Sequence, residues 1–364
     1  MINKLVTAFI PSYNYAEYIE DAIESIINQT YPCWEIVVVD DASTDSSPET
    51  ICKYQERYPD KIRAVFLTKN VGQAEATNIG IAHARGSYIT FLAADDIARS
   101  NRFSEAVEIL ENYPDVGSVF SKVSFIDSEG RSFQPASDIF NREVYNLRWQ
   151  LLEGNFLCGT SAVHRLDVIK STGGYNRALS HVEDFDLWLR ILDKFDIIRV
   201  PQVWVDYRVH DKNLSAIGSS GNEMRFGMFY ETAITILGAI QRWPLESLFE
   251  FKFLPHSPER KYEEAMAKIK LSNHCLSLDK KFFGKPLICL GMAYRLALDA
   301  ALLVPENEQV KELLNVIYLC MGDSQRARGQ KSIKMSDLSV YWKIKTPLRW
   351  VKRQVVNFKS FARQ

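Results

Sequence analysis

Residues 91–96 read Phe-Leu-Ala-Ala-Asp-Asp, an apolar run that ends in two adjacent carboxylates. Like charges side by side repel, and neither belongs inside a strand. A hard divalent cation removes the conflict. Mg2+ or Mn2+ takes oxygen ligands and often combines one or two carboxylates with phosphate oxygens of a substrate. The plainer reading is that Asp95 and Asp96 cap a following helix. Two related features lie upstream: Tyr13 follows the apolar run Leu5–Ile10, and Asp40-Asp41 follow Trp34–Val39. A tyrosine ring offers a nucleobase a stacking face. A carboxylate at Asp41 accepts the N3–H of uracil or thymine; guanine's N1–H also satisfies it, whereas cytosine's N3 is itself an acceptor. Strand-edge packing for Tyr13 and turn formation for Asp40 and Asp41 account for the same residues without a ligand.

The elements that carry these residues alternate. Leu5–Ile10 and Trp34–Val39 are continuous apolar runs, the pattern of buried strands. Between them, apolar residues at 19, 22, 23, 26 and 27 form a helical stripe over Ala16–Gln29, with Asn14 and Glu17 spaced as a capping box. Ser47 as N-cap and Pro48 at the first helical position open the next helix. A strand over Ile62–Leu67, a helix over Glu75–His83 and a strand over Tyr88–Leu92 follow. This order predicts a mostly parallel sheet with helices on its faces, where ligands gather at the carboxyl ends of the strands. Tyr13, Asp41, Asp95 and Asp96 all fall at such ends. Downstream, Arg102–Tyr113 is helical, Val116–Ile126 is a strand and Gly173-Gly174-Tyr175 is a turn. Ser180 and Glu183 make a second capping box for a helix over Glu183–Phe195, and Ile197–Arg208 reads as strands interrupted at Pro201. Ser215–Gly221 reads as a flexible loop or lid.

The motifs IPSYN, VVVDDAS-TD, KNVG with NIGIAHARG, and YITFLAADD, in this order, resemble a family 2 glycosyltransferase of the GT-A fold over roughly residues 5–212. The resemblance implies an inverting enzyme that uses a nucleotide sugar and a divalent metal, Mn or Mg. It implies that Pro11, Tyr13 and Asp41 shape the nucleobase pocket, that Asp95 meets the ribose and that Asp96 binds the metal. Many members carry another Asp where this chain has Ala93, and Arg is common where it has Thr77. VEDFDLWLR, residues 182–190, resembles the family's xED motif, which makes Asp184 the catalytic base; Asp186 is a rival and Glu183 serves as the capping partner of Ser180. The stretch Tyr207-Arg-Val-His210 resembles the region where a late histidine completes the metal site, which assigns His210 as a ligand.

The expected architecture is a GT-A Rossmann-like, mostly parallel α/β sheet over residues 1–222, an all-helical region over 223–325 and a basic tail over 326–364. The formal net charge of −1 hides an asymmetry: residues 326–364 hold eleven Lys/Arg and one acid, a net +10 that leaves −11 on the rest. The stretch 341–364 interleaves seven basic residues with four aromatic rings among its Trp and Phe, which suits a helix on an anionic membrane surface; the acidic body argues against nucleic acid. Packing of the tail on its own domain is the alternative. The helical region leaves room for self-association. The six scattered cysteines form no CxxC pair and read as thiols of a reducing compartment. With no signal peptide or membrane span in the pattern, the expectation is a cytoplasmic protein, peripheral on the inner face of the plasma membrane if the tail binds there. The expected reaction moves a sugar from a UDP- or dTDP-sugar to a hydroxyl of a glycan or lipid-linked saccharide. A sugar-nucleotide pyrophosphorylase is the alternative enzyme, but IPSYNYAEY has none of the glycines its phosphate loop needs. A non-catalytic nucleotide- or glycan-binding scaffold is the alternative from another class.

Overall fold

The computed structural model describes residues 4–211, 213, 222–250, 252, 255, 257–283 and 289–320. The loop 215–221 and the basic tail 326–364 lie outside these residues. The chain divides into two compact units, residues 1–228 and 229–364, where the sequence sets the boundary at 222.

The first unit holds nine strands in one sheet. They are β1 (Val6–Ser12), β2 (Trp34–Asp40), β3 (Ile62–Phe66), β4 (Tyr88–Phe91), β5 (Ile97–Ala98), β6 (Val116–Ile126), β7 (Ser132–Phe133), β8 (Val163–Arg165) and β9 (Asp196–Arg208). The order is β3-β2-β1-β4-β8-β6-β9-β5, with β7 paired to β6. β1, β2, β3 and β4 are parallel neighbours, as the alternation requires. β8 runs antiparallel to both β4 and β6, so the sheet is mixed beyond that point. Each residue of β2 is buried, and so is every residue of β1 except Pro11. That follows from helices on both faces: α1 (Ile19–Ile27), α2 (Ser47–Arg57), α3 (Gln73–His83), α4 (Arg102–Asn112), α5 (Leu147–Leu152), α6 (Leu166–Ser171) and α7 (Glu183–Ile191).

Pro201 does not break the last strand. β9 is continuous, and its pairing with β6 shifts from Phe120↔Arg199 to Lys122↔Val203. A bulge across this step absorbs the residue that cannot donate. The expected caps are replaced by longer-range bonds. Asn14 turns into the left-handed region at φ 61° and its side chain accepts from Thr44 N, so the box with Glu17 does not open α1. The Ser47 hydroxyl accepts from Tyr15 N, and Asp45 Oδ1 takes the Ser47 N–H. α7 has Val182, not Ser180, at its N-cap position.

The second unit is helical. α8 (Asn222–Arg242) leads into it, and α9 (Pro258–Phe283), α10 (Leu290–Leu303) and α11 (Glu308–Cys320) pack together. Ser272 ties α9 to α10 by donating to Ala293 O at 2.7 Å. No helix among the described residues is long and apolar enough to cross a membrane.

α3 packs closely on β1 at Gly80. A Cβ added at Gly80 would stand 2.2 Å from the Phe9 ring, and Phe9 is fully buried. Gly80→Ala is expected to lower the unfolding free energy by about 2–3 kcal/mol. Denaturant titration with an unchanged m-value checks this.

Candidate active site

β1, β2 and β4 lie side by side in parallel, so their carboxyl ends open on one edge. Ser12 pairs with Asp40 across that edge. The two aspartates of β2's end divide. Asp40 holds its own loop by accepting from Ser43 N at 2.9 Å, Ser43 Oγ at 2.6 Å and Ser12 Oγ at 3.2 Å. Asp41 reaches the loop before α3, where Oδ1 accepts from Val71 N at 2.7 Å and Oδ2 from Gly72 N at 2.9 Å. Its carboxylate is fixed by these bonds, with one more lone pair on each oxygen. Tyr13 is 45% exposed and leaves a ring face to solvent.

Asp95 and Asp96 are 5% and 1% exposed. Burial raises the Asp95 carboxyl above its ordinary range, and His210 and Arg208 oppose the rise. Burial and the Asp95 charge push Asp96 well up, opposed by the Arg208 N–H, Thr160 and Arg102. The end of β9 supplies most of the compensation. Arg208 N donates to Asp96 Oδ1 at 2.9 Å and Arg208 Nε to Asp95 O at 2.8 Å. Its guanidinium continues to Asp21 Oδ2 at 3.0 Å and lies over the Tyr18 ring. His210 Nε2 meets Asp95 Oδ2 at 3.0 Å, and Asn213 Nδ2 donates to the same oxygen at 3.1 Å. Tyr18 stacks on the imidazole with centroids 5.0 Å apart. His210 therefore stands against Asp95, where the sequence pairs it with Asp96.

Among the described residues, Asp96 Oδ2 is buried and has no hydrogen-bond partner. A bare carboxylate oxygen beside a second carboxylate and an imidazole is a donor set that fits a hard cation. Among the described residues, no three His, Cys, Asp or Glu side chains converge to hold a metal by themselves. Phosphate oxygens would have to complete the shell.

Asp184 and Asp186 share the first turn of α7 but not their surroundings. Asp186 is committed to Arg190, with Oδ2 at 2.8 Å from Nε and 2.7 Å from the terminal nitrogen. Asp184 meets no cation in an ion pair among the described residues; it accepts from Phe185 N at 2.5 Å and from Asn155 Nδ2 at 3.5 Å. Burial first and the Glu183 charge second raise its carboxyl to about 7. It nevertheless keeps some solvent exposure. Gly159 leaves room beside it, since an added Cβ would still be 3.6 Å from Asp184 Oδ2.

Sequence reasoning missed Asn155, Thr160 and Arg102. The Thr160 hydroxyl accepts from Ala93 N at 3.2 Å, just ahead of the aspartate pair. Arg102 is fully buried and donates to Thr90 Oγ1, to Thr160 O at 2.6 Å and to Ala162 O at 2.9 Å. A lone arginine at a helix start carries no local signal for such a place.

The model of glycosyl transferase family 2 matches residues 7–173. An uncharacterized glycosyltransferase of Methanocaldococcus jannaschii is 32% identical over 224 residues, 58% of this chain and 73% of the relative. The chain belongs to glycosyltransferase family 2. An uncharacterized glycosyltransferase of Nostoc sp. is 39% identical over 132 residues, 36% of this chain and 40% of the relative. The putative teichuronic acid biosynthesis glycosyltransferase TuaG of Bacillus subtilis is 37% identical over 106 residues, 29% of this chain and 42% of the relative. The chain thus spans less than half the length of these two relatives. Among solved structures, S. aureus TarS in complex with UDP-GlcNAc shares the fold at a TM-score of 0.56 and 17% identity, with 88% of each chain covered. Mannosyltransferase PcManGT from Pyrobaculum calidifontis, in complex with GDP-Man and Mn2+, does so at 0.51 and 22%, covering 90% of this chain and 87% of its own.

A carboxyl raised in the folded state gains a proton on folding between the ordinary carboxylate range and about 7. Its ionisation costs stability as pH rises through that window and costs nothing below it. Asp184→Asn should therefore be more stable than the parent by about 1–3 kcal/mol at pH 8, discounted for the partial exposure, and equal to it at pH 4. Thermal unfolding at the two pH values measures the difference.

Proposed function

We propose that the protein is an inverting, metal-dependent glycosyltransferase that moves a sugar from a UDP- or dTDP-sugar to an acceptor hydroxyl. The observation that carries the reading is the placement of Asp184 in the first turn of α7, without an ion pair among the described residues and beside Asp186, which Arg190 already holds; burial and the Glu183 charge raise the Asp184 carboxyl to about 7. A base poised near neutrality has the proton affinity that general-base catalysis favours. Asp184 takes the acceptor's hydroxyl proton as that oxygen forms its bond to the anomeric carbon. The bond from that carbon to the diphosphate oxygen breaks with its electron pair on the nucleoside diphosphate. One displacement on one face inverts the anomeric centre.

Tyr13 and Asp41 recognise the base by stacking and by accepting the imide N–H, with Pro11 shaping the same pocket. Asp95 orients the ribose. Asp96, with its bare Oδ2, and His210, through the Asp95 edge, are the residues that would hold a divalent cation. When bound, Mn2+ or Mg2+ stabilises the charge of the departing diphosphate. The named roles of TuaG and of the Escherichia coli chondroitin synthase, 27% identical over 212 residues, support a glycan or lipid-linked saccharide as acceptor. Family membership favours transfer over pyrophosphorylase chemistry, and the presence of Asp95, Asp96, Asp184 and His210 favours an enzyme over a scaffold.

Asp184→Asn is expected to lower kcat by about 10²–10⁴-fold while leaving donor affinity within a few-fold. Asp186→Asn should keep turnover within about tenfold of the parent, because its partner is an arginine and not the substrate. The kcat/KM of the parent should rise with pH through a midpoint near 7, as Asp184 loses its proton. Retention of transfer by Asp184→Asn would refute the assignment. For the donor side, calorimetry should find UDP or dTDP binding that depends on Mn2+. Asp96→Asn should weaken that binding by more than the roughly tenfold lost with an outer-shell partner of a metal.

A further inference from the structure

The turn Thr172–Tyr175 is held from two sides. Asn78, on α3, gives Tyr175 both halves of an amide pair: its Oδ1 accepts from Tyr175 N at 2.8 Å, and its Nδ2 donates to Tyr175 O at 2.9 Å. The approach requires the glycine before it. Gly174 has φ 69°, and a Cβ there would stand 2.5 Å from Asn78 Oδ1. From the other side Arg190, on α7, donates to Thr172 O at 2.5 Å and Gly174 O at 2.8 Å. Tyr175 is 6% exposed and sets its ring edge-on to Phe91, the last residue of β4, at 5.5 Å. Its hydroxyl is pushed up by burial and by the charges of Asp184 and Glu183. One turn thus joins the helix that starts at Asp41's loop, the strand β4 that precedes Asp95-Asp96, and the helix that carries Asp184.

We propose that Asn78 is a positioning residue: through the backbone of Tyr175 it sets where Asp184 stands relative to the strand-end carboxylates. This rests on Asp184 being the base. Arg190 keeps the turn attached to α7 when Asn78 is lost, so the turn and its helix stay folded but lose their distance to α3. A displacement of this kind near 1 Å costs on the order of a hundredfold in rate without touching the chemistry.

The test uses the full chain with Asn78→Ala and Asn78→Gln, and with Asp184→Asn alongside. Asn78→Gln keeps donor and acceptor but lengthens the arm. Expected for both Asn78 variants is a kcat lowered about 10–100-fold with donor KM within about threefold of the parent. The acid midpoint of kcat/KM should fall by about one unit as water reaches Asp184. The groups that face that carboxylate are Glu183 on its own helix, Asn155 and Cys158 from the segment before β8, and Tyr175. Should Asn78→Ala fail to fold, Asn78→Gln decides alone. A variant with native kcat and native pH midpoint overturns the proposal. If Asp184→Asn is inactive in that case, the base assignment stands and only the positioning role falls. If Asp184→Asn retains transfer, both fall.

Discussion

Two adjacent carboxylates, 5% and 1% exposed, stand at the end of β4, and the structure around them is organised by the need to keep charge in that place. Removing a carboxylate from water costs several kcal/mol unless hydrogen bonds and opposite charge replace the solvent. Four groups from the end of β9 and beyond do this: the Arg208 N–H, the Arg208 guanidinium, His210 and Asn213. Arg208 is itself buried, so it needs acceptors of its own. It finds them in Asp21 Oδ2 and in the carbonyls of Asp95, Asp127 and Ser128.

The topology follows from that demand. β9 must run its full length beside β6 to deliver Arg208 to the aspartates, and a bulge carries it past Pro201. β8 enters antiparallel between β4 and β6. The short turn Gly159–Ser161 just before it therefore sits behind the aspartate pair, where Thr160 meets Ala93 and Gly159 leaves space beside Asp184. Arg102, buried beneath, binds the end of that turn to β4 through Thr160 O, Ala162 O and Thr90. One turn thus touches both the segment before the aspartate pair and Asp184.

Periodicity made the first half of the fold legible. β1 to β4 and their helices are read from apolar runs and stripes because each is stabilised mainly by burial of its own pattern. The caps were not legible. Asn14 and Ser47 bond to partners about thirty positions away, and such partners leave no trace in a four-residue window. The same limit governs the site. Asp95 and Asp96 are visible as a pair at a strand end, yet the contact of Asp95 with His210 spans 115 positions. Only the resemblance to a family brought His210 and Asp184 forward. Nothing brought forward Arg102 or Asn155, and Asn78 stood only as the first residue of the NIGIAHARG motif with no role attached; the contacts of all three exist only once β8, α7 and the turn at Gly174 are in place.

Both aspartate pairs divide their labour. Asp40 closes β2 and Asp41 follows it, whereas Asp95 and Asp96 lie in the turn after β4. After β2, Asp40 turns to its own loop while Asp41 binds the peptide N–H groups of Val71 and Gly72. After β4, Asp95 takes His210 and Asn213 while Asp96 takes the Arg208 N–H and leaves one oxygen bare. In each pair one carboxylate fastens a neighbouring segment and the other is held in a defined orientation. The bonds of Asp41 also tie the nucleobase side of the edge to the start of α3, and α3 carries Asn78 to the turn beside the base helix. The segment after β2 and the turn at Gly174 are thus bonded to the same helix, through Asp41 at the residues that lead into it and Asn78 at its middle.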